Sequence, residues 1–132
     1  MEYSELLNYA KDASENAYAP YSNFKVGACV LSDDGRLYKG CNFENSSYGL
    51  AICAERNAIG SAIADGVRKI SAVAIYSPNQ ENCLPCGACR QVMAEFRPEN
   101  SDIDIITTDN GELKVYKLEY LLPESFNLDV HN

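Results

Sequence analysis

Cys53-Ala54-Glu55 and, further along, Pro85-Cys86-Gly87-Ala88-Cys89 put three thiols and a carboxylate at spacings that suit one metal ion. Thiolates are soft ligands for zinc. Structural zinc sites are closed by four protein ligands, whereas catalytic sites keep three and leave the fourth position to water or substrate. Cys53, Cys86 and Cys89 are therefore the expected ligands, and Glu55 the expected general acid/base. An acid in a first helical turn is favoured by the helix dipole in any case. A carboxylate two residues after a ligand, however, reaches the open position, and acid/base work there needs its pKa raised from about 4.3 by burial and by the anionic site.

Two other arrangements stay open at this level. Cys83-x-x-Cys86 has the same spacing as Cys86-x-x-Cys89, so Cys83 with the other three thiolates would close a structural site. Cys86 and Cys89 alone would make a redox dithiol. The first leaves Glu55 without a task, and the second leaves both Glu55 and Cys53 without one. Cys29 and Cys41 read as small apolar residues on buried strand faces. His131, the single histidine, sits beside the C-terminus and is expected to be neither ligand nor catalyst.

The 132 residues, 46% of them hydrophobic, suit one domain (1–132) able to bury a core without disulfide staples. No run has the length of a membrane span, and Met1-Glu2-Tyr3-Ser4-Glu5 lacks the basic start and apolar stretch of an export signal, so a reducing, cytoplasmic setting is expected for the six cysteines. The formal charge of −8 comes from 19 acidic and 11 scattered basic residues. Nucleic-acid polymer binding needs a basic stripe, so the charge favours a small, largely neutral substrate.

Several elements must position these groups. Leu6, Leu7, Ala10, Ala13 and Ala17 recur at helical spacing, with Ser4 as the expected cap of a helix over residues 5–17. Val26, Ala28 and Val30 alternate, Asp33-Asp34-Gly35 turns the chain, and residues 37–43 run back as a hairpin. An Ala-rich helix is expected from Cys53 to Ala64, stopped by Asp65-Gly66, then a buried strand over 70–76 and a third helix over 87–96, before Pro98. Strands over 103–108 and 113–116 join through Asp109-Asn110-Gly111, and a short helical or irregular piece follows. Strands alternating with helices, after an opening hairpin, predict an α/β fold: a central mixed sheet of about five strands in a three-layer α/β/α arrangement.

If strands 37–43 and 70–76 run parallel, the loops after them share one sheet edge. Cys53 then opens one helix and Cys86 and Cys89 flank the start of the next. Both helix N-termini face a single crevice, where their partial positive charge favours thiolate. Three thiolates on Zn²⁺ leave a net negative charge, which makes a bound water less acidic. Arg56 is the candidate to offset it by hydrogen-bonding the thiolates, against the plainer reading of a surface salt bridge.

Together with Tyr18-Ala19-Pro20-Tyr21-Ser22-Asn23-Phe24-Lys25-Val26-Gly27-Ala28 and Asn42-Phe43-Glu44-Asn45, the two cysteine motifs make the chain resemble the small, homotetrameric cytidine deaminases over nearly its whole length. The resemblance implies one Zn²⁺ per subunit on Cys53, Cys86 and Cys89. It makes Glu55 the proton shuttle between an activated water and the cytosine ring, and uridine or deoxyuridine the product. It implies that Asn42 and Glu44 hydrogen-bond the ribose, that Phe24 packs on the nucleoside, that the Ala54 backbone holds the base, and that Phe43 supports the site. It also implies active sites shared between subunits, with Tyr48 and Phe126 coming from neighbours. After Leu121-Leu122-Pro123 the chain has Glu124-Ser125 where the family has a Gly-containing pair, which bears on where Phe126 lies. A zinc deaminase of another amino-pyrimidine, such as a nucleoside antibiotic, and a non-catalytic zinc module are the competing readings.

Overall fold

Alternation along the strands divides the apolar residues between two faces of one sheet. A computed structural model describes residues 1–128, and His131 lies outside them. Its strands are β1 (Gly27–Ser32), β2 (Leu37–Cys41), β3 (Ile70–Tyr76), β4 (Asp104–Asp109) and β5 (Glu112–Lys117), in the spatial order β2-β1-β3-β4-β5. β1 is antiparallel to both β2 and β3, β3 is parallel to β4, and β4 is antiparallel to β5. The sheet is mixed, as expected. β2 and β3 run in the same direction without touching, because two antiparallel steps through β1 restore it.

On one face, α1 (Tyr3–Ser14) buries Leu6, Leu7 and Ala10 against Cys29, Ala72, Ala74 and Ile106. On the other, α2 (Ala54–Ala64), α3 (Gly87–Ala94) and α4 (Leu118–Leu121) bury Ala58, Ile59, Cys89, Met93 and Leu118 against Ala28, Val30, Val73, Ile75 and Ile105. The result is the three-layer α/β/α arrangement. No helix among the described residues is long and apolar enough to cross a membrane.

Two glycines set the spacing of these layers. A Cβ on Gly27 would lie 1.9 Å from the Ala10 carbonyl oxygen, and one on Gly40 would lie 2.5 Å from Ala58 N and 2.7 Å from Ala54 O. Helices α1 and α2 therefore rest directly on β1 and β2, where only glycine fits.

Some boundaries differ from expectation. α1 starts at Tyr3 with Glu2, not Ser4, as its N-cap, and the Glu2 N–H donates to the Glu5 carboxylate (3.3 Å). It ends at Ser14, whose hydroxyl turns back to the Lys11 carbonyl (2.7 Å), so Ala17 falls in the following turn. β2 stops at Cys41, and Phe43 instead forms isolated bridges to Tyr18 and Ile52. Asn110 and Gly111 both take positive φ (53° and 79°), as a tight hairpin between β4 and β5 requires.

Candidate active site

The loops after β2 and β3 do reach one sheet edge, and each delivers a cysteine to a helix start. Cys53 is the N-cap of α2, Cys86 is the N-cap of α3, and Cys89 lies in the first turn of α3. Their sulfurs all fall within 4.8 Å of one another, and Cys86 Sγ is 3.6 Å from Cys89 Sγ. Tetrahedral zinc with Zn–S bonds of about 2.3 Å needs sulfurs about 3.8 Å apart, so the triad fits that ion. Cys83 is outside the cluster, an arrangement that favours three ligands over the closed four-thiolate site. No other group of three ligating side chains occurs among the described residues.

The electrostatics favour proton loss at one of these sulfurs, Cys53. Cys53 is lowered to about 5, chiefly by the hydrogen bond from Cys89, with burial opposing and Arg56 adding to the effect. Cys89, which donates that bond, is pushed up. The first thiolate therefore forms at Cys53, where Arg56 Nη2 donates at 3.4 Å. The expected contact between Arg56 and a ligand is thus present, and Arg56 Nε beside it is buried without a partner.

Glu55 has the environment an acid/base needs. It is only 5% exposed, and burial, augmented by the charge on Cys53, raises it to about 7. At that value a carboxyl both accepts and releases a proton near neutrality.

Glu55, Cys53, Cys86 and Ala54 face a hollow of about 260 Å³ whose other wall includes Phe24 and Asn42. This is just under the usual range of about 300–1,000 Å³ for ligand sites, a size for one small molecule. The Asn42 amide braces that wall, its Nδ2 donating to Phe24 O (2.9 Å) and its Oδ1 accepting from Val26 N (2.8 Å). One amide hydrogen and one lone pair remain. Val26, Gln80, Cys83 and Leu84 complete the hollow. The sequence marked Cys83 only as a possible fourth ligand and Val26 only as a strand residue, and Gln80 and Leu84 went unmarked because they lie in an irregular stretch without periodicity.

The remaining expected residues gather elsewhere. Glu44 accepts from the backbone of Tyr21 (3.0 Å) and Ser22 (3.2 Å) and from the Ser22 hydroxyl, and that last bond does most to lower its pKa. With Tyr21, Asn45 and Tyr48 it borders a second hollow of about 330 Å³. Phe43 is half exposed and outside both hollows. Tyr48 and Phe126 are 80% and 68% exposed, and neither borders the cysteine hollow of its own chain.

Comparison with known proteins agrees with this geometry. Residues 1–103 match the family model described as the cytidine and deoxycytidylate deaminase zinc-binding region. The chain is 43% identical over 128 residues to a cytidine deaminase of Sporosarcina psychrophila, covering 96% of this chain and 93% of that protein. It is 40% identical over 132 residues to one of Halalkalibacterium halodurans, covering 100% and 99%. The crystal structure of a cytidine deaminase from Burkholderia pseudomallei superposes with a TM-score of 0.87 at 45% identity, covering 96% of this chain and all of the other. Motifs, fold and site geometry thus agree: this chain belongs to the cytidine and deoxycytidylate deaminase family.

Proposed function

We propose that the chain deaminates cytidine and 2′-deoxycytidine hydrolytically, releasing ammonia and uridine or 2′-deoxyuridine. The observation that carries this reading is the buried Glu55, raised to about 7, beside three sulfurs within 4.8 Å of one another at the wall of a small hollow. Cys53, Cys86 and Cys89 would hold Zn²⁺, which when bound supplies the Lewis acidity that makes water a nucleophile near neutral pH.

Glu55 performs the proton transfers. It takes a proton from the attacking water and delivers it to N3 of the cytosine ring as the water oxygen adds to C4. It then takes the remaining hydroxyl proton and passes it to the amino nitrogen, so that ammonia leaves, a C4 carbonyl forms and N3 keeps its hydrogen. Arg56 offsets the thiolate charge; Arg56→Gln would lower turnover more than stability, and unchanged turnover would refute this role.

The Ala54 backbone and Phe24 hold the base, and the free N–H and lone pair of Asn42 meet the ribose. Glu44 acts on the ribose from the adjoining loop, and Phe43 supports that loop. The exposed Tyr48 and Phe126 complete neighbouring sites in a cytoplasmic homotetramer, so full activity from a monomer on gel filtration would refute sharing. The substrate class is tested by ammonia release from cytidine, deoxycytidine, cytosine and CMP in parallel. Turnover of the two nucleosides, with little of the base or nucleotide, is expected, whereas turnover of none of them by zinc-loaded protein would overturn the proposal.

A further inference from the structure

Arg90 follows the ligand Cys89 and reaches both the other α3 ligand and the end of the fold. Its Nε donates to Pro85 O (2.7 Å) and its Nη1 to Leu121 O (2.8 Å). Its backbone N–H donates to Cys86 O (3.0 Å). One residue therefore holds both peptide groups that flank the Cα of Cys86, the preceding one by side chain and the following one by main chain. Leu121 ends α4, so its carbonyl has no partner within that helix and is open to a side-chain donor.

The need for such a clamp follows from burial. Cys89 is fully buried, so packing fixes it, whereas Cys86 is exposed and little packing holds its sulfur in place. Pro85 is fully buried, which makes its carbonyl a firm anchor. We infer that Arg90 is a positioning residue for the metal ligand Cys86, clamping the Pro85 carbonyl and bracing that clamp against the end of α4. Only a guanidinium presents two donors in a fixed fork to carbonyls this far apart in sequence. The inference rests on the zinc reading of the cysteine triad.

Zinc affinity by competition with a chromophoric chelator, and the thiolate-to-metal charge-transfer bands of the Co²⁺-substituted protein, test this without relying on turnover. Arg97→Gln serves as the control, because Arg97 also holds the C-terminal segment, at Ser125 Oγ (3.0 Å), yet has no bond to Pro85. Loss of a partner that orients a ligand costs about 10–100-fold in metal affinity. Arg90→Gln is expected to weaken zinc binding by at least about tenfold and to alter the Co²⁺ bands, with Arg90→Lys intermediate. Arg97→Gln is expected to lower the melting temperature and leave both readouts unchanged. Wild-type affinity and bands in Arg90→Lys and Arg90→Gln, or equal changes in Arg97→Gln, would overturn the inference. Wild type that binds zinc without deaminating cytidine would refute the proposed reaction alone.

Discussion

Alanine at position 40 would act as a wedge under the helix that carries Cys53 and Glu55. Its Cβ would stand 2.5 Å from Ala58 N and 2.7 Å from Ala54 O, the donor and acceptor four residues apart in the first turns of α2, and 3.0 Å from Ala58 Cα. These are backbone atoms, so no rotamer change relieves the clash, and strand and helix must part. Overpacking of this kind costs about 1–3 kcal/mol. At roughly 3–5 °C per kcal/mol for a domain of this size, Gly40→Ala should lower the melting temperature by about 3–15 °C. Gly60, in the same helix, faces open space, so Gly60→Ala should gain about 0.5–1 kcal/mol from helix propensity and melt about 2–5 °C higher. Thermal melts of the two zinc-loaded variants followed by circular dichroism make the comparison. A Gly40→Ala protein melting at the wild-type temperature would refute the argument that α2 rests on the backbone of β2.

Two more outcomes follow from burial at the site. The fold raises Glu55 from 4.5 to about 7, so between those values the folded zinc-free protein binds more protons than the unfolded chain and loses stability as pH rises. Glu55→Gln should therefore match wild type below about pH 4.5 and exceed it by up to about 3 kcal/mol above pH 7; urea unfolding of zinc-free protein across that range would refute this with a pH-independent difference. Burial raises the Cys83 thiol to about 11, and it lies outside the sulfur cluster. Cys83→Ser should keep one zinc per chain by metal analysis while losing about 1–3 kcal/mol for a poorly paired hydroxyl; loss of zinc would contradict the three-ligand site.

Much of this site was legible because it depends on local signals. Cys53 and Cys86 precede helical sequence, and a cysteine three residues after Cys86 must lie in the first turn of that helix. The shared direction of β2 and β3 entered the sequence reading only as a condition, because alternation could not reveal that β1 lies between them and pairs antiparallel with both. The Glu2 cap was missed because serine is the commoner cap, whereas here the Glu2 N–H finds the Glu5 carboxylate. Phe43 and Glu44 belong to an irregular segment tied to Tyr18, Tyr21 and Ser22 by contacts that no periodicity encodes. Arg90 reads in sequence as a residue on a helix surface, since Leu121, its distant partner, is brought near only by the packing of α4.

Ammonia release from cytidine by zinc-replete wild type and Glu55→Gln, with zinc content measured on the same samples, tests the central claim most directly. General acid/base catalysis contributes about 10²–10⁴-fold, so the variant should lose at least about a hundredfold in turnover while keeping one zinc per chain. A Glu55→Gln enzyme with wild-type turnover would contradict the account, because the buried carboxyl beside the three cysteines would then not be the group that moves the protons.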